Sequence, residues 1–328
     1  MIKAWDSVVG DSVFTTSKRR AATCDLQIAD LPPELREGCR SSVRMMLSNR
    51  FNQTLYDYGF ESIHTHMYPG DVLVFNLSAT LPVEVEYGGI SVRYYDFHDE
   101  WCRISATMSP PEKILQAYGL RLLEDGVTLG YETKKALLRY LFTMGHMIHD
   151  TQQAYPPEYY RSIFSVIPGS AEFPSAARPF SLELVRRLMR RGVVFGYVVL
   201  HTATQLDGER PLPEYFRVPY RTISLIERAR KMGRRVFAVG TTCVRALESV
   251  DLGSHTPRGV EGYTQLIIDE NHRLKNVDGL ITGFHDSESS HYDLLKSFQP
   301  PKLLEKLYRE ACRLGYRKGA FGDLCLLL

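Results

Sequence analysis

The 328-residue sequence has few of the features that settle a protein's class at once. Its six cysteines, at positions 24, 39, 102, 243, 312 and 325, include no Cys-x-x-Cys pair. That spacing argues against a zinc knuckle, and its sparseness against a secreted disulfide scaffold. No apolar run approaches the ~18 residues of a membrane span. The opening stretch MIKAWDSVVGDSVF lacks the apolar core of a signal peptide, so a soluble cytoplasmic protein is expected. The net charge is only +2, which gives no global reason for a nucleic-acid or membrane partner. There is no internal repeat, no low-complexity tract, no Walker loop, no G-x-G-x-x-G and no G-x-S-x-G elbow.

What is present is a globular mix, 44% hydrophobic and 24% charged, on a chain long enough for roughly two domains. PGDVLVFN (69–76) is a Pro-Gly turn leading into a strand. The following stretch alternates apolar and polar residues around Gly88-Gly89, and a second hairpin is expected at Asp125-Gly126. Most of residues 70–135 therefore reads as a small all-β domain, flanked by or inserted within an α/β domain. KKALLRYLFTMGH (134–146) is ambiguous between helix and a mixed segment. After the tyrosines at 155, 159 and 160, helices and strands alternate, predicting a mostly parallel sheet. In SLELVRRLMRRGV (181–193) the apolar residues Leu182, Val185, Leu188 and Met189 have helical spacing. TQLIIDE (264–270), KNVDGLITGFH (275–285) and DLCLLL (323–328) are expected strands.

Residues 236–249, VFAVGTTCVRALES, pass from a buried strand into a helix through Gly240, with Thr241 or Thr242 as cap. This is either a well-capped βα junction or a ligand site, since helix starts attract anions. Other strand ends also carry polar groups: His201, His285-Asp286 in TGFHDSESS, and Gly322-Asp323. Singly, His201 reads equally as a core histidine, Asp286 and its serines as a helix cap, and Asp323 as a turn residue. Together they fall at one edge of one sheet, where α/β proteins bind ligands. The arginines of RRLMRR (186–191) and RARKMGRR (228–235) read as solvated helix faces or as a phosphate-contacting patch. HTH (64–66) and HMIH (146–149) have ligand-like spacing without a supporting cysteine or carboxylate cluster.

VGTTCVRALES (239–249), VDGLITGFH (277–285), PGDVLVFN and YRKGAFGDLCLLL (316–328) resemble the S-adenosylmethionine:tRNA ribosyltransferase-isomerase family of queuosine biosynthesis. That family reads V-G-T-T-S-V-R-A-L-E-S, V-D-G-L-L-T-N-F-H, G-D-L-L-V-F-N and Y-R-F-x-S-F-G-D-A-M-L-I, in the same order. DLPPELREGCRSSVRMM (30–46) is similar to the family's opening, with Arg40 and Arg44 at two of its arginines. GSAEFPSAARPFS (169–181) stands where the family has G-S-V-A-A-P-T-A-G-L-H-F-T.

The resemblance implies a discontinuous α/β domain, formed by 1–66 and 156–328, with a small β-barrel-like domain, 67–155, inserted in it. It also implies transfer of the ribosyl part of S-adenosylmethionine to an aminomethyl-deazaguanine base in tRNA, with methionine and adenine released. Such chemistry needs a base for the C5′–H that the sulfonium acidifies, an acid for adenine, and donors for the methionine carboxylate. The implied binding residues are Gly240, Thr241, Thr242 and Arg245, with Asp278 and Asp323 orienting ribose or sulfonium. The acid/base candidates are His201, His285, Asp286 and Glu214; no metal is implied. This chain departs from the family at Pro179, Glu209 and Leu212 in place of histidines. Leu77 and Ala79 replace an Asp/Arg pair, and Gly283 replaces an asparagine. With those losses a slow tRNA reaction, a small-molecule acceptor or binding without turnover all remain open, with His149, His291 or Glu214 as compensating groups.

Overall fold

Strand Val72–Asn76 is buried at every residue, with Val72 and Val74 packed into one core and Leu73 and Phe75 into another. A strand that is apolar on both faces needs cover on both faces, and this one lies inside the largest of the four sheets among the described residues, the others having six, two and two strands. The computed structural model describes residues 25–105, 109–203, 212–253 and 256–328.

The large sheet has nine strands: β1 (Arg44–Asn49), β2 (Thr54–Gly59), β3 (Val72–Asn76), β4 (Val194–Leu200), β5 (Glu214–Val218), β6 (Val236–Val239), β7 (Val260–Thr264), β8 (Gly279–Gly283) and β9 (Leu324–Leu327). In space they run β7-β5-β4-β3-β6-β8-β9-β1-β2. The central four, β4, β3, β6 and β8, are parallel. Toward one edge β5 and β7 pair antiparallel; toward the other, β9 is antiparallel to β8, and β1 runs parallel to β9. β2 closes that edge antiparallel to β1, because residues 50–53 are too few for a crossover. The sheet is therefore mixed rather than mostly parallel. The strand expected over 264–270 lies earlier, as β7, and residues 266–268 line a cavity instead.

Helices Tyr220–Lys231, Thr241–Glu248 and Pro301–Arg313 send Ile223, Ile226, Val244, Leu247, Leu304 and Leu307 into the core on one face. Helix Leu182–Arg190, capped by the Ser181 hydroxyl accepting from Leu184 N–H, covers the other. It buries Leu184 and Leu188 and leaves Leu182 and Met189 exposed, so its apolar face is rotated from the one expected.

The six-stranded sheet is antiparallel throughout, in the order Gly145–His146, Glu84–Tyr87, Ile90–Tyr95, Trp101–Ser105, Thr128–Tyr131, Leu120–Leu122. Gly88 and Gly89 hold positive φ at one hairpin tip, as a two-residue turn requires. At the other, the Asp125 carboxylate accepts from Val127 and Thr128 N–H. The ambiguous segment is a helix, Lys134–Met144, burying Leu137, Tyr140 and Leu141 against this sheet. The sheet spans residues 84–146, and β3, assigned by sequence to the inserted segment, belongs to the large sheet. Cys39, Cys102, Cys243 and Cys325 are free thiols, and Cys312 is disulfide-bonded. Among the described residues no helix is long and apolar enough to cross a membrane.

Candidate active site

The carboxyl ends of β3, β4, β6 and β8 share one edge of the sheet, and there β6 meets its helix. Gly240 has φ +90° and ψ 153°, a conformation for which glycine is suited, so the chain turns directly from strand to helix. The cap is Gly240 itself and not a threonine side chain; the helix begins at Thr241. The threonine hydroxyls are used otherwise. Thr241 Oγ1 lies 3.0 Å from His291 Nδ1, and Thr242 Oγ1 accepts from Asn76 Nδ2 at 3.3 Å. Asn76 also bonds both backbone groups of Leu200, fixing β3 against β4.

A cavity of about 540 Å³ opens at this edge. Gly240, Thr241 and Thr242 form one wall, and Thr282, Gly283, Phe284, His285 and Asp286 another. Glu172–Ala177, His149-Asp150 and Lys318–Ala320 complete it. A smaller chamber adjoins it, lined by Glu214, Arg245, Leu212, Leu266–Ile268 and Leu294. Glu172, Thr241, Thr242 and His291 line both, and so mark the neck between them.

Burial favours the uncharged form of His285 and His291. His285 is pushed down to about 3 by burial and then by His291, on which its ring stacks at 4.9 Å. His291 is lowered by burial and by Arg245, against the opposing pull of Glu214. In the small chamber Arg245 pairs with Glu214 and donates from Nε to Leu266 O at 3.1 Å. Burial raises the Glu214 carboxyl and Arg245 draws it back. Asp286 pairs with Lys318, which also holds Asp25.

The segment carrying Glu172 is fixed by backbone. Ala171 N–H donates to Thr202 O at 3.0 Å, Glu172 N–H to Thr202 Oγ1 at 3.0 Å, and Thr80 Oγ1 to Glu172 O at 2.8 Å. Its carboxylate has no hydrogen bond or ion pair among the described residues.

A family profile described as "Queuosine biosynthesis protein" matches residues 24–327. The chain belongs to that family. A relative named S-adenosylmethionine:tRNA ribosyltransferase-isomerase from Aquifex aeolicus is 30% identical over 88% of this chain and 93% of its own length. One of the same name from Gloeobacter violaceus is 32% identical over 81% and 86%. The crystal structure of S-adenosylmethionine tRNA ribosyltransferase from Thermotoga maritima matches with a TM-score of 0.55 and 26% identity, covering 92% of this chain and 96% of that one. The resemblance read from the sequence is thus shown at the level of family, and the relatives are enzymes.

Membership does not place every expected residue in the cavity. His285, Asp286, Gly240, Thr241 and Thr242 line the large chamber, and Glu214 and Arg245 the small one. His201 lines neither. Its Nδ1 sits 2.7 Å from Ser78 Oγ, its ring packs on Gly169, and burial pushes it down to about 4. Asp278 starts β8 at the opposite edge of the sheet, where it accepts from Val236 N–H at 2.8 Å. Asp323 is spent on the N–H groups of Arg44 and Arg317, 2.8 and 2.9 Å away. Arg40 and Arg44 are anchors, the first on Glu34 and Arg161 O, the second on Asp57 and over the Tyr316 ring.

Of the positions where family histidines are replaced, Leu212 lines the small chamber and Pro179 neither chamber; Glu209 lies outside the described residues. His64 is bonded to Glu61 O and His66 packs against the Tyr58 ring at a tilt of 50°, while His149 reaches the cavity. Sequence reasoning passed over Glu172, Lys318 and Asp150. The one signal for Glu172 was a charge placed within the Gly-Ser-Ala/Phe-Pro-Ser loop 169–175.

Proposed function

We propose that this protein binds S-adenosylmethionine in the two-chambered cavity and cleaves it, transferring the ribosyl part to a base in tRNA. The supporting observation is that the two strings carrying the family resemblance, 239–249 and 277–285, form facing walls of one cavity. Its volume is that of a small-molecule site.

In this reading the adenosyl part occupies the large chamber. The amino-acid part enters the small one, where Arg245 and Glu214 offer opposite charges to its carboxylate and ammonium. His285 in the large chamber and His291 at the neck are held toward the neutral form, each with one ring N–H to donate and one ring nitrogen to accept a hydrogen bond. The division into a discontinuous α/β part and an inserted β part, and a cytoplasmic location, belong to the same proposal.

The test is incubation with S-adenosylmethionine and tRNA bearing the aminomethyl-deazaguanine base, followed by nucleoside mass analysis. Epoxyqueuosine with matching adenine and methionine is expected, more slowly than from a relative that keeps the family histidines. Intact S-adenosylmethionine after prolonged incubation rejects the reading. Adenine without a modified nucleoside rejects tRNA as the acceptor.

A further inference from the structure

We propose that Glu172 is the counter-ion of a cationic centre in the bound ligand, and that it makes this site select a sulfonium over an uncharged thioether. The inference rests on the S-adenosylmethionine reading above and goes further by assigning the charge-recognition point.

Most charges on the cavity wall are paired within the protein. Lys318 is paired with Asp286 and Asp25, Arg93 with Glu84, and Arg245 with Glu214. The Asp150 carboxylate accepts from Ala320 N–H. Each of these charges already has a partner in the protein, whereas Glu172 has none among the described residues. The Glu172 side chain is exposed to the open cavity, so its carboxylate faces the space a ligand would fill and not a protein group. Its backbone is clamped at N–H and at C=O, so the side chain is held toward the cavity by a fixed loop. The atoms crowded around it raise its pKa although the side chain opens to the cavity, and the charge of Arg245 acts against this. A cation arriving in the cavity is the partner that this carboxylate lacks.

Position then identifies the cation. Glu172 is one of four residues lining both chambers, with Thr241, Thr242 and His291. The threonines are uncharged and burial lowers the pKa of His291, so among the described residues Glu172 is the one negative charge that lines both chambers. In S-adenosylmethionine the atom joining the nucleoside to the amino acid is the positively charged sulfur. A ligand with its two parts in the two chambers places that sulfur at the neck. The family pattern has alanine at this position, so the carboxylate distinguishes this chain from it.

The test is calorimetric titration, without acceptor, of the wild type and of Glu172→Gln with S-adenosylmethionine and with S-adenosylhomocysteine, its uncharged thioether. The expected result is that Glu172→Gln loses at least tenfold in affinity for the sulfonium and less than threefold for the thioether. Glu172→Asp should recover part of the preference. An unchanged ratio of the two affinities, or an equal loss of both, overturns the proposal. A wild type that binds neither compound overturns the ligand reading and this inference with it. Thermal denaturation of each variant shows whether a loss of binding comes from a loss of fold, and an unfolded Glu172→Gln paired with a folded, unselective Glu172→Asp also counts against the proposal.

Discussion

The two edges of the large sheet hold similar side chains and use them differently. At the amino edge of the parallel strands, Asp71 accepts from Arg235 through the backbone N–H, Nε and Nη2, at 3.1, 3.2 and 2.6 Å, and from Tyr68 N–H at 2.9 Å. Asp278 holds Val236 N–H. At the carboxyl edge the Glu172 carboxylate has no partner among the described residues, His285 and His291 have one close side-chain partner each, and the walls stand apart around a cavity. Carboxylates that satisfy backbone donors stabilise the fold, and those left unsatisfied are free for a ligand. Residue type does not distinguish the two cases; the hydrogen-bond inventory does.

The largest effect is expected at the satisfied edge. Asp71→Ala removes a buried acceptor from four donors and leaves the Arg235 guanidinium without its carboxylate. The cost should be about 3–5 kcal/mol, as for one partner lost from a buried pair. Urea unfolding measures it, and ligand affinity of the protein that remains folded should be unchanged. A loss below about 1 kcal/mol would show that the amino edge is not the structural one.

Arg245→Leu is expected to be milder for the fold and harsher for the ligand. It strands Glu214, at a cost of about 1–3 kcal/mol for an unsatisfied buried group. It should also weaken S-adenosylmethionine binding at least tenfold. Adding Glu214→Gln should restore much of the stability and none of the affinity. Recovery of both would make the pair a structural anchor like Asp71 and Arg235.

Acidification tests the carboxyl edge as a whole. His201 and His285, at about 4 and about 3, stay neutral in the folded chain when the unfolded chain, near 6.5, takes up protons. Stability from these groups is therefore complete above pH 6.5 and falls as the pH drops toward 4. Well below 6.5 the loss approaches ~1.4 kcal/mol per pH unit for each histidine. In unfolding experiments at pH 7.5, 6 and 5, His285→Gln should flatten this slope by about one histidine's share. Parallel slopes for variant and wild type would mean that His285 titrates normally.

The sequence carried local features well and spatial ones poorly. The turn at Gly240, the hairpin tips at Gly88-Gly89 and Asp125-Gly126, and helix Pro301–Arg313 follow from dihedral preference and periodicity, which neighbouring residues encode. Asp278 and His285 were read as parts of one motif and so as parts of one site. The five residues of β8 between them span roughly 17 Å, enough to put them at opposite edges. The place of β3 depends on pairing with strands more than 100 residues away, which no local pattern records, although its unbroken apolar run already said that both faces are covered. Glu172 gave no periodic signal, and its departure from the alanine of the family pattern did not by itself reveal that the carboxylate lacks a partner among the described residues.

The smallest effect sharpens the comparison from the side of the family. Gly283 ends β8 on the cavity wall, where the family pattern has asparagine. Its φ is not positive, and a Cβ added there meets nothing within 4 Å. Gly283→Asn should therefore fold like the wild type, with a stability change within about 1 kcal/mol, since a glycine inside a strand carries its own entropic cost. The amide then enters the cavity beside His285. If this edge is kept free for a ligand, the substitution should change S-adenosylmethionine affinity several-fold while thermal stability barely moves. The matching change at the amino edge, Asp71→Asn, should do the reverse, lowering the melting temperature with little effect on binding. Equal responses at the two edges, in either quantity, would remove the distinction between them.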